Sequence, residues 1–321
     1  MQEKHVPAAL VATWLAAGDL VVMALEVPTG WLADRFGDRR SMIAGSCAQV
    51  VGMLACWLCP GVTSLAAGGL LIAVGDALRS GADQALLYRS CVADGVPAEF
   101  QRIEGRTRGV ALMALVLLTL AGGALVATAG WSAAWALDTA LCALGVVIAA
   151  AMRDASGDAP ATDSQAEATP LFSARLLAAI LPAAVVGAAA SAVSFIAQAG
   201  SDASPALVTW VVAGIVLAEA CGAALGGRTS PLAPALQRGA AVLSVLALAA
   251  STHNAVAPAA LAVLLSFVAG LFDPWRAVAI QQMASDSLRA TAASFASACD
   301  MACSTLLLPL AGFMRGRHSR R

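Results

Sequence analysis

Lysine is almost absent from this sequence, because Lys4 is its only lysine among 321 residues. A phosphate-cradling loop requires a lysine directly after its glycines, and no G-x-x-x-x-G-K-[ST] run is present. We therefore expect no nucleotide-hydrolysing site in this chain. This excludes a complete ATP-driven pump.

Charged residues are also scarce, at 12% of the chain, whereas 60% of the residues are hydrophobic. Soluble domains carry roughly a quarter charged residues, so one soluble core would not hide this much apolar surface. The composition therefore predicts a protein embedded in a lipid bilayer. The formal net charge of −1 gives no indication of nucleic acid, and we expect none as a partner.

Residue clusters that hold metals or perform catalysis are missing from the pattern. Cys56 and Cys59 form a C-x-x-C spacing, but no second cysteine pair or nearby histidine completes a metal site. Small apolar filler is the favoured interpretation of this pair, over a metal or redox pair. None of the three histidines falls in a predicted membrane segment, and no Ser/His/Asp cluster is evident. We expect no enzyme activity, no metal and no cofactor.

Ten apolar runs have about the twenty residues that a membrane-spanning helix needs. They are 7–28, 41–59, 62–85, 108–129, 131–151, 175–197, 206–226, 236–252, 256–273 and 290–313. Glycine and alanine are abundant in them, as is typical where helices pack closely in lipid. The sequence therefore predicts an all-α membrane protein with about ten transmembrane helices.

One long polar stretch, 152–174, interrupts the apolar runs near the middle of the chain. Its Ala, Ser, Asp and Pro content predicts a flexible cytoplasmic linker. It divides the chain into an N-terminal bundle of five helices, 1–151, and a C-terminal bundle of five helices, 175–321. Such a symmetric division is typical of two-bundle transporters.

Arginines lie on one side of this predicted helix order. The loops near Pro60, Gly130, Asp202 and His253 contain no arginine, whereas the loops after the odd-numbered helices contain thirteen. These are Arg35, Arg39, Arg40, Arg89, Arg102, Arg106, Arg108, Arg153, Arg175, Arg228, Arg238, Arg276 and Arg289. Basic loops remain in the cytoplasm, so we expect a multi-pass protein of the inner (plasma) membrane with these loops inside. Lys4 and the basic C-terminal tail disagree with this orientation.

A signature-like loop, G-W-L-A-D-R-F-G-D-R-R, occupies residues 30–40. It resembles the G-x-L-A-D-R-x-G-R-[KR] loop of the major facilitator superfamily of transporters. The matching residues are Gly30, Leu32, Asp34, Arg35, Gly37 and Arg39, whereas Asp38 replaces a usual arginine. An ordinary basic loop is the alternative interpretation.

Physical chemistry suggests a role for each part of this loop. Gly30 and Gly37 permit a tight turn between helices. The Asp34 carboxylate is suited to a helix N-terminus, and Arg35 and Arg39 are suited to pairing with acidic groups on moving helices.

Further stretches extend the resemblance over nearly the whole chain. E-V-P-T-G before the loop, the S-G-A run within 75–90, F-D-P-W-R, and S-L-R-A-T-A-A-S at 287–294 are similar to a bacterial branch of the family. The resemblance implies a two-bundle fold and alternating access for a small solute. The family's loop follows its second helix, so this chain looks as if it lacks the family's first and twelfth helices.

Ionisable side chains inside a membrane cost about 2.5–3.5 kcal/mol each on insertion scales, so they are functional candidates. The candidates for a substrate or proton pathway are Asp19, Glu26, Asp76, Arg79, Asp83, Glu219 and Asp300. The i, i+3, i+7 spacing of Asp76, Arg79 and Asp83 predicts one charged helix face. A structural ion pair between helices is the alternative for Asp76 and Arg79.

Asp19 has no basic neighbour within a helical turn, so it is the first candidate to take up and release a proton. Asp300 and Glu219 are similar candidates in the second bundle. The sequence predicts a proton-coupled exporter, an antiporter of a drug-like or metabolite solute. The alternative is a truncated, transport-incompetent remnant or membrane scaffold that retains the fold. The sequence does not indicate an oligomeric state.

Overall fold

The structure, a computed structural model, describes residues 8–59, 61–153, 173–199, 205–251 and 257–318. Side chains are described for 20–59, 61–153, 173–197, 210–250 and 258–307. This part of the chain is helical, and two 3-10 turns and short loops join the helices. The helices are α1 Ala8–Phe36, α2 Asp38–Leu58, α3 Val62–Arg79, α4 Ala82–Ala93, α5 Phe100–Ala151, α6 Ala174–Ala199, α7 Pro205–Gly226, α8 Pro234–Ser251, α9 Ala257–Met283 and α10 Arg289–His318.

Within the described residues, the predicted apolar runs coincide with these helices; the run 62–85 covers α3 and the start of α4, and two runs share α5. Gly130 divides α5, because its φ of 81° and ψ of 175° are not helical. Within the described residues, five segments are long and apolar enough to cross a membrane: Asp38–Leu58, Val62–Ala93, Pro97–Ala151, Ala174–Ala197 and Pro258–Met283. The fold is therefore that of an all-α, multi-pass membrane protein, and the number of ten spanning helices stays a prediction.

The chain divides into two compact units. Unit 1 comprises Met1–Gly95, Ala121–Ala168 and Ala284–Ala298, and unit 2 comprises Val96–Leu120, Thr169–Met283 and Cys299–Arg321. Unit 1 thus includes the start of α10, and unit 2 includes the start of α5. The contiguous bundles expected from the sequence stay a prediction, and most of the expected linker, 154–172, lies outside the described residues.

Glycines bring α2 and α3 of unit 1 into backbone contact. A Cβ atom built on Gly75 would lie 2.6 Å from the carbonyl oxygen of Gly45, and one on Gly52 would lie 2.7 Å from that of Gly68. Those separations leave no room for a side chain, which is how small residues bring helices together in lipid. The position of Asp76 beside α2 depends on this contact.

Unit 2 has an apolar core along the alanine-rich helix α6. Val193 and Ile196 of α6 pack with Ile215 of α7, Leu248 of α8 and Leu265 of α9, all of them buried. The indole of Trp275 in α9 lies 5.4 Å from the ring of Phe272 and donates to the carbonyl oxygens of Gly226 (3.0 Å) and Thr229 (3.1 Å). Because Gly226 is the last residue of α7 and Thr229 follows it, these bonds hold the end of α7 against α9.

Candidate functional site

The side chain of Asp34, a residue of α1, contacts the N-terminus of α10. The sequence predicted that this carboxylate lies against a helix N-terminus. Its Oδ1 accepts the backbone N–H of Ala290 at 3.0 Å, and its Oδ2 accepts the N–H and the hydroxyl of Thr291 at 2.8 and 2.7 Å. The first-turn N–H groups of a helix have no partner within the helix and carry partial positive charge. The buried carboxylate of Asp34, 2% exposed, satisfies two of them.

Arg89 of α4 completes this cluster, and sequence analysis had counted it only as a loop arginine. Its guanidinium lies 2.9 Å from Asp34, forms an ion pair with Asp38, and donates to the carbonyl oxygen of Asp286 at 2.6 Å. Asp38, where this chain departs from the signature of the family it resembles, therefore supplies a second buried carboxylate for the same arginine. The cluster joins α1, α2, α4 and the start of α10 within unit 1.

The signature arginines have other contacts in the described part of the chain. The Arg35 guanidinium stacks over the Trp31 ring, 5.4 Å from its centroid. Arg39 donates to the carbonyl oxygens of Ala149, at 3.4 Å, and Ala150. These carbonyls end α5, where a cation is favoured. Arg89, rather than Arg35 or Arg39, is the residue that meets the acidic groups.

The two signature glycines have different roles, and the prediction that both form a turn is wrong for Gly30. Gly37 has a φ of 99°, a left-handed conformation that separates α1 from α2. Gly30 lies inside α1, which continues to Phe36. A Cβ atom on Gly30 would lie 2.8 Å from the Cα atom of Thr291, so Gly30 provides room for α10.

Asp76 and Arg79 are linked through a third residue. The side-chain amide of Gln49 in α2 donates to Asp76 Oδ1 and accepts from the Arg79 guanidinium. Gln49 is 8% exposed. It is a polar residue that the search for charged groups missed.

Asp83 does not share a helix face with Asp76 and Arg79, so that prediction is wrong. Helix α3 ends at Arg79, Ser80 has a ψ of 139°, and Gly81 has a φ of 70°. Helix α4 then begins at Ala82, and Asp83 accepts the backbone N–H of Gln84 at 2.7 Å in its first turn. The i, i+7 relation requires a continuous helix, which the Ser80–Gly81 break removes.

Two other candidates lie in α1. Glu26 is buried, with 1% exposure, near the place where the Thr29 hydroxyl donates to the carbonyl oxygen of Ala77 at 2.8 Å. The side chain of Asp19 lies outside the described part of the structure. Its role as the first proton carrier therefore stays a prediction.

Unit 2 contains a cavity of about 450 Å³ that holds both remaining candidates, Glu219 and Asp300. Five charged residues line it together with four serines: Arg108, Glu219, Asp273, Arg276 and Asp300, with Ser191, Ser194, Ser266 and Ser304. We call these five residues the charged network. The rest of the wall is mostly alanine from α6, so the network is the main polar feature of the cavity.

Within the charged network, the two arginines share three carboxylates unequally. Arg276 lies 2.5 Å from Asp300 and 3.1 Å from Asp273, and its side chain is only 15% exposed. Arg108 is 49% exposed and more distant from its partners, at 3.4 Å from Glu219 and 3.8 Å from Asp273. Arg276 is therefore held tightly, whereas Arg108 and Glu219 form a longer and looser ion pair.

Arg108, Asp273 and Arg276 also belong to this site, although the sequence did not predict them as members. Arg108 and Arg276 were counted among the loop arginines, but both lie within helices, α5 and α9. The F-D-P-W-R run contained the signal, because Asp273 and Arg276 are spaced i, i+3 and pair across one turn. That spacing would have identified a charged site in α9.

Comparisons with solved structures support the transporter fold. The fucose:proton symporter FucP of E. coli has a TM-score of 0.74 at 14% identity, covering 97% of this chain and 85% of that one. The proton:xylose symporter XylE also has a TM-score of 0.74, at 11% identity, covering 98% of this chain and 82% of that one. At these identities the likeness shows the fold alone.

Comparisons of sequence assign the family. A Mycobacterium tuberculosis protein described as a multidrug resistance protein B homolog is 28% identical over 122 residues, which cover 38% of this chain. This match spans only 22% of that relative. The family model of the Major Facilitator Superfamily matches residues 1–314, nearly the full length. The chain is therefore a member of the major facilitator superfamily, a family of membrane transporters rather than enzymes.

Proposed function

We propose that this chain is a proton-coupled secondary transporter that exports a small drug-like or metabolite solute by alternating access. The observation that carries this proposal is the charged network in the unit 2 cavity. The volume of this cavity, about 450 Å³, falls in the range of small-molecule sites, roughly 300–1,000 Å³.

The charge balance of this network supports proton coupling. Three carboxylates face two guanidinium groups, so full ionisation leaves one negative charge in the cavity. Inside a membrane an uncompensated charge is costly, so a proton or a positive group of the solute stabilises the site. Competition between the two for the same carboxylates couples solute movement to proton movement.

Glu219 is the carboxylate best placed for this exchange. Its described ion-pair partner, Arg108, is half exposed and 3.4 Å away, whereas Asp300 is held by two short contacts from Arg276. A loosely held carboxylate changes protonation at a lower cost than one locked in a close pair. Asp300 and Asp273 then hold Arg276 in place.

Export is supported by the likeness to the multidrug resistance protein B homolog. The cluster of Asp34, Asp38 and Arg89 supports alternating access, because buried ion pairs that hold a helix N-terminus favour one conformation until they open. The one-sided arginine count supports the plasma membrane with the odd loops inside.

The test is solute-dependent proton movement in everted membrane vesicles with an acidic lumen. Drug-like solutes, beginning with the probe ethidium, are added while a lumenal pH dye reports proton release. We expect proton release with the unmodified chain and none with the Glu219→Gln, Asp273→Asn, Asp300→Asn triple variant.

Asp94→Asn is the matched control, because Asp94 is 65% exposed, lies 3.8 Å from Arg153 and is not a lining residue of the cavity. This control is expected to behave like the unmodified chain. Proton release that persists in the triple variant contradicts the role of the network. A folded, inserted chain that releases no protons with any solute of the panel favours the alternative, a transport-incompetent remnant or scaffold.

A further inference from the structure

A second cavity of unit 2 lies between α5 and α7, and it shares no lining residue with the cavity of the charged network. Its volume is about 300 Å³. The lining consists of three arginines and a set of small or apolar residues: Arg102, Arg106, Gly109, Val110, Met113, Ala220, Cys221, Ala224 and Arg228. We call this cavity the α5–α7 groove.

One glycine and one glutamine hold α5 against α7 beside the groove. A Cβ atom on Gly105 would lie 2.5 Å from the carbonyl oxygen of Ala223, so α5 and α7 cross there with no side chain between them. Gln101 donates to the carbonyl oxygens of Gly226 and Thr229, at 2.7 Å each, and joins the start of α5 to the end of α7. The groove is therefore a built feature of two fixed helices.

One end of the groove is strongly basic. Arg102 and Arg106 occupy the first two turns of α5, and Arg228 follows the end of α7; all three are exposed. Arg102 has one weak contact, with Glu99 at 3.4 Å, and both side chains of that pair are more than half exposed. The described lining contains no carboxylate. This end of the groove is thus complementary to an anion with several acceptor oxygens.

The other end of the groove is apolar and open to its surroundings. Val110 is 63% exposed and Met113 is 40% exposed, and Leu117, one turn further along α5, is 61% exposed. Their i, i+3, i+7 spacing forms a single stripe that continues the face of Arg106. The helix rises about 16 Å from Arg106 to Leu117, close to half of the roughly 30 Å hydrocarbon core.

A basic end and an apolar stripe of this length match a lipid. We propose that the α5–α7 groove binds one anionic phospholipid, with its phosphate and headgroup on the three arginines and an acyl chain along Val110, Met113 and Leu117. A free phosphate would use the arginines and leave the stripe uncovered. A zwitterionic lipid would leave part of the positive charge unbalanced. This site does not depend on the proposed transport activity.

Native mass spectrometry of the purified full chain in detergent tests the proposal. Phosphatidylglycerol and phosphatidylcholine with identical acyl chains are titrated separately, and the affinity of the first bound lipid is measured. We expect phosphatidylglycerol to bind more tightly. The Arg106→Gln and Arg228→Gln variants should weaken it roughly fivefold each, whereas phosphatidylcholine binding should hardly change.

Arg238→Gln is the matched control, because Arg238 is an exposed arginine of α8 outside the groove. It should keep the preference for phosphatidylglycerol, and each variant's thermal unfolding midpoint shows that it is folded. Glycerol phosphate, which has the headgroup chemistry without acyl chains, distinguishes a lipid from a free phosphate and should not compete. Equal affinities for the two lipids, unchanged binding in the groove variants, or displacement by glycerol phosphate would each overturn the proposal.

Discussion

Replacement of Asp34 by asparagine is the sharpest test of the cluster at the start of α10. The carboxylate accepts three described hydrogen bonds from Ala290 and Thr291 and one from Arg89. Asparagine keeps one acceptor oxygen, but its NH2 group replaces the other oxygen and faces donors. About two charge-assisted contacts are lost in a site that is 2% exposed.

The number of lost hydrogen bonds gives the size of the free-energy change in Asp34→Asn. Each hydrogen bond to a charged group contributes about 1.5 kcal/mol at the lower end of its range, so two contribute about 3 kcal/mol. That free energy corresponds to roughly a hundredfold change in the equilibrium for opening the cluster. We therefore expect the backbone amides of residues 290 and 291 to exchange hydrogen about a hundredfold faster in Asp34→Asn.

The assay combines hydrogen exchange with transport in vesicles. We expect Asp34→Asn to insert into the membrane normally and to transport poorly, because the balance between conformations has shifted. Arg35→Gln is the matched control from the same motif, since its described contact is a single exposed cation–π pair worth about 0.5–1 kcal/mol. Unchanged exchange and transport in Asp34→Asn, or equal damage in Arg35→Gln, would refute the reasoning.

Two other predictions concern unit 1. Gly75→Ala should lower the free energy of unfolding by about 1–3 kcal/mol, since its Cβ would lie 2.6 Å from a backbone carbonyl oxygen of α2. Gly69→Ala in the same helix has open space and should have little effect, so equal thermal unfolding midpoints for the two variants would contradict the packing argument. Asp76→Asn and Arg79→Gln should be coupled by about 1 kcal/mol in a double-mutant cycle on stability, because Gln49 bridges them. The coupling should largely disappear in a Gln49→Leu background, and a coupling of the same size there would show that the bridge is unimportant.

The signature loop was the part of the site that sequence could predict best, because its chemistry is local. A carboxylate next to glycines at a helix junction has few favourable environments, and a helix N-terminus is one of them. The partner Arg89 was out of reach, since it is 55 positions from Asp34 and its ion pair exists only when α4 packs beside α1. A single sequence contains no signal for that contact.

The predicted helix face of Asp76, Arg79 and Asp83 is interrupted at Ser80 and Gly81 for a local reason. Periodicity assumes a continuous helix, and the residues from 62 to 85 are apolar enough to favour one. A glycine within such a run can instead take a positive φ, as Gly81 does at 70°. Its small size also admits α10, because a Cβ atom there would lie 2.6 Å from the carbonyl oxygen of Ala290. Tertiary packing therefore decided the break.

Three of the thirteen arginines that indicate the membrane orientation belong to the charged sites. Arg89, Arg108 and Arg276 form ion pairs from within helices, so their positions are explained by partners rather than by membrane topology. Removing these three from the thirteen leaves ten arginines on one side, against none in the four opposite loops. An asymmetry of ten to none indicates the same orientation, so the predicted orientation does not depend on the arginines of the charged sites.

The remaining ten arginines include Arg102, Arg106 and Arg228 of the α5–α7 groove. The basic end of this groove therefore lies on the predicted cytoplasmic side, where anionic headgroups concentrate.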